Sequence, residues 1–288
     1  MTRNTKINFP APLTVVIATL GDNCLKNTIK SLNQGLVIPN EILIAIPENE
    51  SNKVLNLPFN NVKIIITKCR GQVQQRLEAF KQAKYDFVLQ LDDDVEIDKY
   101  AIKIMGRMLS DLGPGNAIGP SFYDPYTLKS LHNIDVGFLG FLKSLNAFLF
   151  SSAPWGVNRQ GKISGIGIGF GVDPKQSNCE LHEVDWLPGG CVLNYKQDLI
   201  IEDYFPLPGK AFSEDIIHSL LRSSKNINHF IAIPAIIKTG VDENNHSWES
   251  FKIELRARLH VVKILHANRF RLIIWGLIQL FTRKFKIK

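Results

Sequence analysis

Three consecutive aspartates, Asp92-Asp93-Asp94, follow the apolar run Phe87–Leu91. Such a run reads as a buried strand, and it carries three like charges to one end of a sheet. Open α/β folds bind ligands at that carboxyl edge. Neighbouring carboxylates repel one another, so a fold that gathers them commonly supplies a cation. Mg²⁺ or Mn²⁺ on oxygen ligands, shared with a substrate phosphate, fits this composition. A solvated acidic turn capping the next helix explains the same three residues equally well.

A second acidic pair, Glu214-Asp215, opens an amphipathic segment after Ser213. A carboxylate there is suited to general base work. Its ordinary explanation is a serine cap followed by acids that the helix dipole favours. Gly71 and Arg76 sit in Arg70-Gly71-Gln72-Val73-Gln74-Gln75-Arg76, and Pro188-Gly189-Gly190 follows Trp186-Leu187. Glycines in such places either let a backbone approach a ligand or simply make a turn. The other histidines, His132, His182, His218 and His229 among them, show no metal spacing.

The elements that must position these groups follow from periodicity. Strands are predicted at Leu13–Ala18, Glu41–Ile46, Val62–Thr67, Phe87–Leu91 and Ala117–Pro120. Helical stripes lie between them: Leu25, Ile29, Leu32 and Leu36 behind a cap at Asp22, then Val73, Leu77, Phe80 and Lys84, then Ile102, Met105, Leu109 and Leu112. This alternation predicts an α/β fold with a Rossmann-like, mostly parallel sheet flanked by helices. Residues 121–180 lose the rhythm and read as an insertion over the working edge. Apolar positions 138, 141, 142, 145, 148 and 149 there suit one helix face, and a glycine-rich stretch, Gly161–Gly171, follows. Regular structure resumes at Glu183–Leu187, Gly190–Asn194, Glu214–Ser224 and His229–Ile237.

Charge separates the chain into two parts. Residues 252–288 hold ten Lys or Arg and one acid, Glu254, giving +9; the formal total of +7 leaves −2 for the rest. A near-neutral body argues against nucleic acid as a partner, whereas the basic tail suits an anionic lipid surface. The tail reads as amphipathic helix, with Phe251, Leu255, Leu259 and Val262 on one face. It ends in the run Leu272–Phe281, which is too short to span a bilayer and suits an interfacial helix. A helix packed on the body is the plainer alternative. Four scattered cysteines and an N-terminus without a signal-peptide pattern predict a cytoplasmic protein, peripheral on the cytoplasmic face of the membrane.

Taken in order, Ala18-Thr19, Gly71 to Arg76, Asp92 to Asp94, Trp186 to Gly190 and Glu214-Asp215 resemble the family-2 inverting glycosyltransferases of the GT-A fold. The likeness covers residues ~12–240 and implies a domain over 1–245, with a nucleotide-binding half (12–120) and an acceptor half with its insertion (121–245). Residues 246–288 form the tail. The resemblance implies a nucleotide-diphospho-sugar donor, a glycan or lipid-linked glycan acceptor, and Mg²⁺ or Mn²⁺. Asp92 and Asp94 match the family's D-x-D motif, with Asp94 on the metal and Asp92 by the ribose and metal. Asp93 would be a supporting group. Thr19 would lie at the nucleotide edge, and Arg76 would hold the diphosphate or tie the acidic loop. Gly71 would allow a tight turn, and Gly189 and Gly190 would floor the donor sugar with Trp186 near the acceptor. Asp215 matches the general base, with Glu214 orienting it or the acceptor, and His246 could complete the metal shell. The family's aspartate pair after the second strand is absent. Glu48 in Pro47-Glu48-Asn49-Glu50 is the substitute for reading the base. A sugar-nucleotide nucleotidyltransferase and a non-catalytic GT-A-like scaffold are the rival readings. The single glycine in Thr19–Cys24 speaks against the first, and the intact Asp92, Asp94 and Asp215 against the second.

Overall fold

The computed structural model describes residues 11–54, 57–134, 137–207, 211–240 and 247–282, except the side chains of residues 139, 150, 281 and 282. Strands and helices alternate at first: β1 (Leu13–Ala18), α1 (Leu25–Asn33), β2 (Glu41–Pro47), β3 (Val62–Thr67), α2 (Gln72–Phe80) and β4 (Phe87–Leu91). Then come a short β5 (Glu96–Ile97), α3 (Ala101–Leu112), β6 (Asn116–Tyr123) and α4 (Gly137–Ser151). The second half adds β7 (Leu181–Val184), β8 (Cys191–Tyr195), α5 (Glu214–Ser224), β9 (Asn228–Lys238), α6 (Trp248–Ile264) and α7 (Arg269–Thr282).

The fold is α/β, with one nine-stranded sheet in the order β3-β2-β1-β4-β8-β6-β9-β5 and β7 paired to β9. β3, β2, β1 and β4 run parallel. Every residue of β1, β2 and β4 is buried, which is why these strands read as near-continuous apolar runs rather than alternating ones. Alternate side chains feed two cores. Leu13, Val15 and Ile17 pack with α1 and α3 on one face, and Val16, Leu43 and Val88 pack with α2 and α5 on the other.

β8 is inserted antiparallel between β4 and β6, and β9 is parallel to β6. Periodicity alone gives no strand direction, and this reversal matters: it sets Gly190, just ahead of β8, beside Asp92, just past β4. The Asp92 amide donates to the Gly190 carbonyl at 2.9 Å.

Several local expectations are corrected. Asp22 does not cap α1: Cys24 precedes that helix and makes no side-chain cap, while Asp22 offers only its carbonyl to the Leu25 amide at 3.1 Å. Ser213 does not cap α5 either; it is left-handed, with φ 56°, and makes no capping bond. The three aspartates do not cap α3, because β5 intervenes and Tyr100 occupies the residue before that helix. Leu36 and Lys84 lie beyond the ends of α1 and α2.

α4 forms where the apolar spacing predicts it, but Phe138, Phe141, Leu142, Phe148 and Leu149 face outward. The buried stripe is Gly140, Ser144, Ala147 and Ser151 instead. α6 packs on the body: Val261 joins the core of Val73 and Trp186, and Arg258 Nη1 donates to the Gly167 carbonyl at 2.9 Å. α7 buries Leu272 and Trp275 beside Ile166 and Phe251. No helix among the described residues is long and apolar enough to cross a membrane.

Candidate active site

Two sheet-edge segments meet across a pair of glycines. Gly190 lies against Asp92: a Cβ added there would come within 3.3 Å of Asp92 Oδ2 and 3.4 Å of the Phe122 ring. Gly189 lies against the second acidic pair: its added Cβ would sit 3.2 Å from Glu214 Oε2 and 3.5 Å from Asp215 Cβ. Gln90, the buried polar residue of β4, holds the loop by donating from Nε2 to the Gly189 carbonyl at 2.5 Å. A Cβ at 189 or 190 would crowd the carboxylates, which would have to shift by a few tenths of an ångström to admit it.

Arg76 joins the two acidic segments from below. It is almost completely buried on α2, with Nη2 3.4 Å from Asp92 Oδ1 and Nη1 3.1 Å from Glu214 Oε1. Burial alone would depress its guanidinium, but the Glu214 and Asp92 carboxylates outweigh that and hold it above its ordinary value. Of the two roles expected for Arg76, tying the acidic loop is the one its contacts match. Gln72, one turn earlier on the same helix face, donates from Nε2 to Asp92 Oδ1 at 2.9 Å. Gly71 ends the preceding loop with extended φ of 175°, and its amide donates to Gln75 Oε1 at 3.2 Å. Gln75 Nε2 in turn donates to the carbonyls of Thr19 and Ala45 at 2.8 and 2.9 Å, closing the edge where β1 and β2 end.

The three aspartates divide their work. Asp92 keeps Oδ1 for Gln72 and Arg76. Its carboxyl is pushed up to about 6, chiefly by burial and further by the Asp94, Glu214 and Asp93 charges, against the pull of Arg76. Asp93 turns the other way, as strand alternation predicts. Thr19 Oγ1 donates to its Oδ2, and Thr28 Oγ1 donates to its carbonyl at 2.7 Å. Burial raises the Asp93 carboxyl, and the Thr19 bond opposes that. Thr19 is therefore committed to Asp93 and to the Gly21 amide. Asp94 is exposed at the rim.

Asp215 is half-buried, and its carboxyl is raised to about 7, mainly by loss of water and then by the Glu214 charge beside it. Its Oδ1 accepts from the Ile216 amide at 2.9 Å. Ser219 fixes this turn of α5 to the Trp186-Leu187 strap: its hydroxyl donates to the Asp215 carbonyl at 2.8 Å and accepts from the Leu187 amide at 3.1 Å. Trp186 closes the wall, donating from Nε1 to the Phe170 carbonyl at 3.1 Å, with Gly169 flat against its ring.

Sequence reasoning missed Tyr204 and His218. The Tyr204 hydroxyl donates to Glu214 Oε1, and its ring stacks on His218 with centroids 4.5 Å apart. Burial, with Arg222 and Arg76 nearby, keeps His218 neutral. Nothing in the spacing of Tyr204 signals this, since it reaches Glu214 through a loop. The spacing Gln72–Arg76 was a usable signal, because i and i+4 share a helix face.

Glu48 is exposed at the start of a 3-10 turn, Glu48–Val54. Glu50 is the acid that turns back toward β1, 2.8 Å from Lys53 Nζ and 3.6 Å from Arg70, while Lys53 donates to the Leu20 carbonyl at 3.0 Å. His246 lies outside the described residues. Among the described residues no three His, Cys, Asp or Glu side chains converge on one point. The donor set fits a hard dication all the same. Asp92 Oδ2 is left over from the Gln72 and Arg76 contacts, which both use Oδ1, and the exposed Asp94 carboxylate offers further oxygens. Mg²⁺ and Mn²⁺ commonly take one or two carboxylates and complete the shell with water and phosphate.

No family model matches the chain, and no curated protein matches it. Solved structures do share its architecture. One, GalNAc-T7 with UDP, GalNAc and Mn2+, aligns at TM-score 0.56 and 12% identity over 81% of this chain and 44% of that one. This chain thus spans less than half of that relative. Another, S. aureus TarS 1–349 in complex with UDP-GlcNAc, aligns at TM-score 0.51 and 15% identity over 90% of this chain and 68% of that one. At such identities the likeness is one of fold, and the fold is the GT-A architecture found in glycosyltransferases.

Proposed function

We propose that this chain transfers a sugar from a nucleotide-diphospho-sugar to an acceptor hydroxyl, with inversion at the anomeric carbon. The observation that carries the reading is the buried guanidinium of Arg76, bridging Asp92 and Glu214 beneath Gly189 and Gly190. That bridge holds one carboxylate group where a diphosphate would lie and another where an acceptor would enter. The solved relatives that bind UDP with Mn²⁺, or UDP-GlcNAc, support the donor class.

In this reading the donor lies over the two glycines, and Asp92 and Asp94 would hold Mg²⁺ or Mn²⁺. The dication supplies charge neutralisation to the diphosphate as it leaves. Asp215 accepts the proton of the acceptor hydroxyl while that oxygen forms its bond to the anomeric carbon. The bond from that carbon to the diphosphate oxygen breaks on the opposite side, and the nucleoside diphosphate departs. A carboxyl raised to about 7 is a better base than one near its ordinary value, because its proton affinity is closer to the operating pH. Glu214, held by Arg76 and Tyr204, keeps Asp215 aimed. The +9 tail suits an acceptor glycan carried on lipid, with the enzyme peripheral on the cytoplasmic face of the membrane.

The test is a screen of sugar nucleotides with Mn²⁺, scored by nucleoside diphosphate release and by the anomeric configuration of the product. Release of pyrophosphate, or a retained configuration, would overturn the reaction or its stereochemistry respectively.

A further inference from the structure

α4 is turned inside out relative to an ordinary surface helix. It covers its small residues, Gly140, Ser144, Ala147 and Ser151, and presents Phe138, Phe141, Leu142, Phe148 and Leu149 to the outside. Phe138 is 75% exposed, and Phe141 and Phe148 are each 51% exposed. Trp155, just past the helix, meets the Phe141 and Phe148 rings edge-on at 5.6 and 5.9 Å, so the three form one aromatic surface. α7 packs beside α4 and adds Phe270, Ile273 and Leu277, all at least half exposed. Arg271 on α7 donates to the Ser152 hydroxyl at the end of α4, fixing the two helices side by side. Exposed apolar surface of this extent on two neighbouring helices of a folded protein marks an interaction site.

Charge selects the occupant. Lys143 is the one charged residue within α4, and Arg269 and Arg271 flank the apolar face of α7. The tail carrying α7 holds ten basic residues against one acid. A protein partner would have to match both apolar side chains and the basic residues beside them, whereas an anionic bilayer supplies both an acyl region and a negative headgroup layer. Neither helix is long and apolar enough to cross a membrane, so they would lie in its plane.

We infer that α4 and α7 together form a two-helix platform that seats this protein on an anionic lipid bilayer, with the Phe141–Phe148–Trp155 cluster in the headgroup boundary. The inference deepens the membrane part of the proposed function and rests on it. It adds a site that the basic tail alone does not contain. The platform also adjoins the acceptor side. Gly165 abuts Ser152, and the hairpin joining Ile163 to Gly169 runs from there to the ring of Trp186. A lipid-linked acceptor would enter from the platform toward Trp186 and Asp215.

The experiment is flotation of the full chain with phosphatidylcholine vesicles, with and without phosphatidylglycerol, alongside Trp emission. The full chain floats with the anionic vesicles, and its emission shifts to the blue. Phe141→Ser/Phe148→Ser/Leu149→Ser weakens partitioning at least about tenfold, as expected for losing three partly inserted apolar side chains. Trp155→Phe removes most of the emission shift. Thermal unfolding and hydrolysis of the sugar nucleotide without vesicles stay unchanged in both variants, since these residues are exposed and lie outside the acidic site. Equal flotation of the triple variant overturns the platform while leaving the tail as the anchor. A dimer in sedimentation velocity that the triple variant dissociates, with no flotation, assigns the face to a second copy and overturns the inference. Loss of hydrolysis in the unmodified chain would instead count against the transferase reading alone.

Discussion

Arg76 Nη1 lies 3.1 Å from Glu214 Oε1, although 138 positions of chain separate the two residues. Both side chains are buried, so the pair ties α2 directly to α5 in addition to the apolar core they share. Breaking a buried pair from one side leaves an uncompensated charge.

Arg76→Met should therefore destabilise the fold by about 3–5 kcal/mol, while the double variant Arg76→Met/Glu214→Gln should cost clearly less than the two single changes summed. Urea unfolding of the three variants checks this. Additive losses would mean that the pair is not coupled.

Tyr204→Phe removes the hydroxyl bond to Glu214 and leaves the stack on His218 in place. A stability loss of about 1–2 kcal/mol is expected, with kcat reduced and the KM for donor little changed. Steady-state kinetics against donor concentration distinguishes this from a general loss of structure, which would alter both.

In the proposed reaction Asp215 serves as the base only when ionised. Its carboxyl is raised to about 7, so kcat should fall as the pH drops through that value. Stability has the opposite sign. A carboxyl raised above its unfolded value stabilises the fold while protonated, fully below about 3.8, and that contribution is lost as the pH rises through about 7. Asp215→Asn should thus raise Tm at about pH 8 and abolish at least ~10²-fold of kcat. A pH series of thermal melts and rates tests both halves.

Gly190→Ala should keep the fold, because the backbone there is not left-handed. It crowds Asp92 Oδ2 at 3.3 Å. Donor affinity should drop by at least about tenfold in calorimetry, a cost of ~1.4 kcal/mol. Unchanged affinity would remove these glycines from the donor floor.

Asp94 is exposed, so Asp94→Asn should leave stability within about 0.5 kcal/mol of the unmodified chain. The same change should raise the Mn²⁺ concentration needed for half-maximal turnover by an order of magnitude or more. Chelation of the unmodified chain should abolish turnover, and added Mg²⁺ or Mn²⁺ should restore it.

The legible parts of the sequence were those where burial on both faces wrote a clear pattern. The runs at Leu13–Ala18 and Phe87–Leu91 mark their strands to the residue, and Glu214–Ser224 marks α5. The acidic groups were legible too, because charge beside an apolar run is conspicuous. The direction of β8 was not, since a short apolar run is the same read either way. Ser213 looked like a helix cap, yet its left-handed backbone carries its hydroxyl away from that role. α4 had helical spacing, but amphipathic pattern gives a face and not what that face meets. The Tyr204 contact depends on a loop path, which local periodicity does not encode.

The reversal of β8 has a consequence for assembly. The amide-to-carbonyl bond between residues 92 and 190 joins points nearly a hundred residues apart in the chain. Contacts of such long range form only after the costly closure of the intervening loop, so the acidic edge is complete only once β8 has joined β4 and β6 in the sheet.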